Sequence, residues 1–305
     1  MSKHTDIVKL LDIPKIVIPY LNLIYTEDQL DLTAAIKNKL LSKEEIQTIL
    51  GKPVEALLDN AYKAAVVDKV IDEKIIKYKI TSLANRLDKM ATFEADKWHS
   101  IKSEDRTKIA DWLFNDFLEA KRNSSLEKIA ENGNKILPLN EAIDYLNTVE
   151  NDIYVMPCDC KAITGNCSFD KNVCMSMGSG LNSSSDRGHG KKLTKEEAVE
   201  LLKHADKEGL IHSVEKGAIC NCCSCCCYPL RASKELGLQG KWPLVTYVAV
   251  MDKDKCINCG ICTKRCQLQV FEKIDGVIHM DDSKCVGCGL CVNTCPKKAL
   301  HLEKL

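Results

Sequence analysis

"CINCGICTKRCQ" (residues 256–267) and "CVGCGLCVNTCP" (residues 285–296) each carry four cysteines at one spacing. Cys256, Cys259, Cys262 and Cys266 follow C-x2-C-x2-C-x3-C, and Cys285, Cys288, Cys291 and Cys295 repeat it 29 residues later. The approaches match too, "VAVMDKDKC" (248–256) against "VIHMDDSKC" (277–285). Self-similarity of this kind points to a duplication with pseudo-twofold symmetry. Three thiolates two residues apart can wrap one face of an iron–sulfur cube, with Gly260 and Gly289 letting the backbone come close. The fourth cysteine of each run points away and ligates the other cube. Cys256, Cys259, Cys262 and Cys295 are therefore expected to hold one [4Fe–4S] cluster, and Cys285, Cys288, Cys291 and Cys266 a second. A zinc knuckle pairs two C-x2-C hooks and does not interleave two such units.

The segment from about 245 to 305 resembles the bacterial-type two-[4Fe–4S] ferredoxins. It departs from them at one place. The second run has Cys295-Pro296, whereas the first has Cys266-Gln267. Proline there fixes the turn leaving the cluster, so its loss is expected to alter hydrogen bonding around the second cluster, not its ligands. "VFEKIDGVIHM" (270–280) reads as a hairpin turning at Asp275-Gly276.

Ten further cysteines precede the repeat: Cys158, Cys160, Cys167 and Cys174, then Cys220, Cys222, Cys223, Cys225, Cys226 and Cys227 in "CNCCSCCC". If 220–227 is extended, Cys220, Cys222 and Cys226 share one face and Cys223, Cys225 and Cys227 the other. Each face is one thiolate short of a cube, which the upstream cysteines can supply; a turn within the stretch would break this partition. All ten are expected as metal ligands, in one or two additional iron–sulfur clusters. Zinc is the strongest alternative. His212, in "GLIHSV", reads as a structural cap or, less simply, as a ligand or proton donor.

All 18 cysteines lie between 158 and 295. Formal net charge is zero, so composition gives no sign of a nucleic-acid or membrane partner. The most apolar stretch, 7–25, is broken by Asp12, Pro14 and Lys15, and fits neither a membrane span nor a signal peptide. A cytoplasmic, reducing location is expected, in which clustered cysteines bind metal and do not form disulfides. Residues 158–305 have few large apolar side chains outside one helix, so metal is expected to help hold them.

Residues 31–97 read as helix, helix, helix, hairpin, the order of a winged helix. "DLTAAIKNKLL" (31–41) is the first helix. Ser42 and Glu45 form a capping box for the second, which Gly51 stops. Pro53 opens the third. "DKVIDEKIIKYKITSLA" alternates around a turn expected at Asp72-Glu73. Helices follow at 103–122 and 138–150, then a strand at 152–158. Residues 176–190 read as a mobile Gly/Ser-rich loop, and Thr194 and Glu197 cap a helix ended by Gly209. The fold class is thus α+β multidomain: a helical, winged-helix-like domain (1–100), a helical linker with a Cys-rich α/β middle domain (101–245) and a dicluster ferredoxin fold (246–305).

Over 31–97 twelve basic residues face eleven acidic ones, and the candidate recognition helix offers Lys63 against Glu55 and Asp59. DNA binding needs a positive face, so the winged helix is expected to dock a protein, namely a redox partner. Trp112, Phe114 and Phe117 mark an apolar stripe for internal packing or a homodimer. "PCDCK" (157–161), "GLIH" (209–212) and "CNCC" (220–223) ahead of the repeat also resemble uncharacterised 4Fe–4S binding proteins of anaerobes with a helical N-terminal part, which implies redox work. Single-electron transfer through iron–sulfur clusters is the expected function, as a carrier or an oxidoreductase subunit. An oxidoreductase with a catalytic middle-domain cluster and a redox-sensing DNA-binding regulator are the alternatives. No dinucleotide fingerprint or nucleophile-and-base set is visible.

Overall fold

The computed structural model describes residues 3–124, 134–165, 167–178, 180–215 and 217–305. It mixes helix and sheet and divides into two compact units. One comprises Met1–Leu113, Ala162–Thr164 and Gly178–Gly190; the other comprises Phe114–Lys161, Gly165–Met177 and Lys191–Leu305.

In the first unit, helices Glu27–Ile36, Lys43–Leu50 and Glu55–Lys63 precede the strands β2 (Val67–Asp72) and β3 (Ile75–Ile80). A two-residue strand β1 (Leu41–Ser42) pairs with β3, giving the sheet order β1-β3-β2. The first helix begins four residues earlier than its apolar pattern indicates. Thr26 and Gln29 form a capping box that settles its start, and Lys37 at positive φ ends it. The Ser42–Glu45 capping box and the left-handed Gly51 cap stand as expected. The hairpin turns at Glu73-Lys74, one residue later than expected. Both have positive φ, as a two-residue turn matching the strand twist requires.

Buried cations organise this unit. Arg86 is 1% exposed; its guanidinium donates to the Ile24 carbonyl at 2.7 Å and to Glu94 at 2.6 Å. The Gly/Ser-rich loop differs from its expectation. Arg187, also buried, ties it to the carbonyls of Tyr62 and Val67 and to Asp68, and His189 stacks on Phe93 at 3.9 Å. One arginine inside a run of small polar residues supplies the anchor.

The second unit is built on a six-stranded antiparallel sheet, order β4-β8-β9-β6-β5-β7: Lys135–Leu137, Ile211–Glu215, Ala218–Cys222, Cys174–Ser176, Ile153–Met156 and Lys191–Leu193. Helices Leu139–Thr148 and Lys195–Glu208 cover it, burying Leu137, Leu146, Ile153, Met175, Leu202 and Ile219. Short strands each contribute one or two large residues, and the sheet sums what no single segment displays. Phe114 and Leu118 of helix Ser103–Arg122 pack with Trp242, and Phe117 lies against them, so Phe114 and Phe117 of the aromatic stripe serve internal packing.

The last sixty residues form two small ribbons, β10 (Tyr247–Met251) with β13 (Leu300–Lys304), and β11 (Phe271–Ile274) with β12 (Val277–Met280). Asp275 and Gly276, both at positive φ, make the hairpin turn. No helix among the described residues is long and apolar enough to cross a membrane.

Candidate metal centres

Each C-x2-C-x2-C run winds around a glycine in the left-handed region, Gly260 and Gly289, and then enters a one-turn helix, Ile261–Arg265 or Leu290–Thr294. Gly287 is needed for space as well: a Cβ there would lie 2.1 Å from the Tyr247 carbonyl oxygen. Its counterpart one repeat earlier, Asn258, takes positive φ as asparagine can, and its side chain accepts from the Ile278 amide at 2.9 Å.

The two runs line two cavities. Cys256, Cys259, Cys262 and Cys295 surround one with Ile257, Ile261 and Pro296. Cys266, Cys285, Cys288 and Cys291 surround the other with Leu268, Phe271 and Val286. Each cavity takes three cysteines from one run and the last of the other. Backbone amides point at sulfur: Ala249 and Gly287 donate to Cys285, both at 3.4 Å, and Ala299 donates to Cys295 at 3.3 Å. Burial pushes the Cys288 thiol up to about 12 and raises Cys262, Cys266 and Cys291. Four thiolates in such dry pockets need a cationic core, and a [4Fe–4S] cluster supplies one through the four cysteines it requires. Donor number, spacing and cavity fit that group.

The ten upstream cysteines separate into two sets. Strand β9 ends at Cys222 and the chain turns through 223–226 before helix Tyr228–Glu235. This turn exchanges Cys226 and Cys227 relative to simple alternation, so the two-face partition does not hold. Cys220 and Cys222 lie on one face of β9. The β6–β9 register, Met175 opposite Ile219, brings Cys174 opposite Cys220. Cys158 follows β5, its amide donating to the Lys171 carbonyl at 2.8 Å.

The thiols of one set neighbour one another in the order Cys160, Cys158, Cys174, Cys220, Cys222, Cys227. Cys227 also acts on Cys160 through charge, so the row bends back as a six-thiolate ring. Donation from Cys160 and Cys174 holds Cys158 down at about 3, and donation from Cys174 and Cys222 holds Cys220 well below its usual value. Cys160, Cys174 and Cys222 are pushed up in return. The lowered thiols, Cys158 and Cys220, thus each stand between raised ones.

Lys161, fully buried, reaches into this region and donates to the carbonyls of Asp170 at 2.8 Å and Asn221 at 3.2 Å. Its charge favours the Cys158 thiolate. Nothing in the sequence marks it as buried; only its place directly after Cys160 hints at a role.

Cys167, Cys223, Cys225 and Cys226 form the other set, with every sulfur within 4.8 Å of the rest. His212 belongs to neither. It sits in β8, fully buried, with Nδ1 2.6 Å from Asn221 Oδ1, and Asn221 Nδ2 donates to the Val173 carbonyl. Its part is to brace β9 from inside the sheet, not to cap a helix.

Gln267, where ferredoxins have proline, accepts from the Ser224 amide at 2.7 Å and donates to the Gly209 carbonyl. Arg265 donates to the carbonyls of Asp206 and Lys207, and Asn293 donates to the Asp206 carboxylate at 3.2 Å. Both halves of the repeat thus hold the C-terminal end of helix Lys195–Glu208, where a cation complements the helix dipole. The missing proline was the one signal of this clamp.

Residues 249–302 match the family described as 4Fe-4S dicluster domain. No curated protein matches the chain. No solved structure matches it either.

Proposed function

We propose that this chain is an iron–sulfur electron-transfer protein, passing single electrons between a redox partner and a row of clusters. The observation that carries this reading is how the thiol sets share apolar packing. Cys220, Cys222 and Cys227 pack in one cluster with Val286, Leu290 and Cys288 of the second dicluster cavity. Cys285, Cys291 and Cys266 of that cavity pack in another with Cys256, Cys262 and Cys295 of the first. A row results: six-thiolate ring, second cavity, first cavity. In this reading the ring holds one additional iron–sulfur cluster, and each cluster exchanges one electron at a potential set by burial, charge and hydrogen bonds to sulfur.

The row ends at the surface. Cys259 is exposed and stands beside Ile257 and Ile261, which are 56% and 41% exposed. A redox partner docks there by apolar contact. The N-terminal helices and hairpin have the winged-helix order, and their tip presents Ile71, Ile75 and Ile76, each nearly half exposed or more. A basic face is missing from helix Glu55–Lys63, so this module also docks protein and not nucleic acid. The protein then works in the cytoplasm of an anaerobe.

The test is anaerobic purification with iron and acid-labile sulfide analysis, followed by EPR of the reduced protein. About twelve irons with two interacting [4Fe–4S] signals and a third paramagnet are expected. About eight irons would confine redox work to the dicluster, and a chain without iron would end the reading.

A further inference from the structure

The set Cys167, Cys223, Cys225 and Cys226 differs in kind from the dicluster sites. Its sulfurs are in contact: Cys167 to Cys223 at 3.5 Å, Cys225 to Cys226 at 3.7 Å, Cys225 to Cys167 at 3.8 Å. A cubane carries each thiolate on a different iron, so its four terminal sulfurs are not all drawn into mutual contact, as these four are. The eight dicluster cysteines obey this, spread around two cavities without any three of them drawn within 4.8 Å of one another. A single tetrahedral ion does the opposite. With metal–sulfur bonds of about 2.3 Å, its four sulfurs lie roughly 3.8 Å apart. Among the described residues this is the only group of three or more potential ligands drawn together within 4.8 Å.

We infer that Cys167, Cys223, Cys225 and Cys226 bind one tetrahedral metal ion of the zinc type, separate from any iron–sulfur cluster. Three ligands come from one turn, and Cys167 comes from the segment between helix Asp159–Thr164 and β6. Cys223 and Cys226 are buried against Val173, Ala205 and Leu210, while Cys225 is exposed. Four thiolates complete the coordination and leave no open position for substrate, the mark of a structural site. The turn is braced before any metal arrives: the Cys227 amide donates to the Cys223 carbonyl at 3.2 Å, and the Ser224 amide donates to Gln267. The ion staples the segment from Cys167 to Val173 to the turn that delivers Cys222 and Cys227 to the six-thiolate ring. This inference does not depend on electron transfer; the dicluster EPR signals report on that reading in the same sample.

The experiment uses the full chain, made without oxygen, as wild type, Cys225→Ser and Cys223→Ser. Zinc and iron are measured per chain, and zinc-edge X-ray absorption is recorded on the wild type. About one zinc is expected, with four sulfurs near 2.3 Å and no iron neighbour. Cys225→Ser, altering an exposed ligand, should hold zinc at least tenfold more weakly against a chelator while keeping its iron and dicluster EPR. A lone iron in the site, lost singly in the variants, supports the same coordination. Loss of about four irons with sulfide in Cys225→Ser overturns the inference, as does a wild type with no single ion, or zinc that both substitutions leave in place. Should a variant fail to fold, the wild-type absorption spectrum decides alone.

Discussion

The dicluster repeat and the upstream cysteines use one ligand type in two geometries. In the repeat, glycine turns and one-turn helices hold thiols around open space. Upstream, a turn presses four thiols together, and interior strands of the sheet line up the others. The contrast teaches that cysteine number does not name a metal. The backbone decides, because it sets how far apart the sulfurs stand before metal arrives.

Four changes test how far this contrast holds. The largest effect should come from Cys288→Ser, which removes a half-buried ligand of the second cavity. It should cost about four irons and abolish the interaction between the two dicluster EPR signals; an unchanged signal would dissolve the distinction. Cys220→Ser, at the centre of the ring, should remove the additional cluster and leave both dicluster signals, as read by iron content and EPR.

Gln267→Ala should leave the iron count intact, since Gln267 offers no ligand. It removes the hydrogen bonds that tie the repeat to the Ser224 amide and to the Gly209 carbonyl, so stability should fall by about 1–3 kcal/mol in anaerobic denaturant melts. A loss of iron instead would show that the two geometries are coupled through this side chain.

The smallest effect lies outside the cysteines. Burial opposes ionisation of Glu94, but Arg86 overcomes it, and the carboxyl is held below its ordinary value of 4.5. A depressed acid stabilises the fold above its unfolded pKa and loses that contribution as pH falls through the folded value. Glu94→Gln should therefore lower stability by about 1 kcal/mol at neutral pH and flatten the acid loss below pH 4.5, in melts followed by tryptophan fluorescence.

Local signals carried much of the architecture. Capping boxes at Ser42 and Thr194, glycine stops at Gly51 and Gly209 and the Asp275-Gly276 turn stand where their chemistry put them. The grouping of the eight repeat cysteines around two cavities follows from spacing alone, since both partners of each contact recur at fixed offsets. The 4+6 division upstream was not legible. It depends on where β9 stops, and that stop is set by pairing with β8 and β6 across the sheet. Arg86, Lys161 and Arg187 were equally hidden. A buried cation looks like a surface one until the carbonyls it satisfies, 60 to 125 residues away for these three, are known.

In "CNCCSCCC" neighbouring residues belong to different sets: Cys222 and Cys223 part company, and so do Cys226 and Cys227. On the proposed assignments, five peptide units join Cys222 and Cys227 of the ring across three ligands of the tetrahedral site. A metal bound at either site would then restrict the reach of the thiols left for the other.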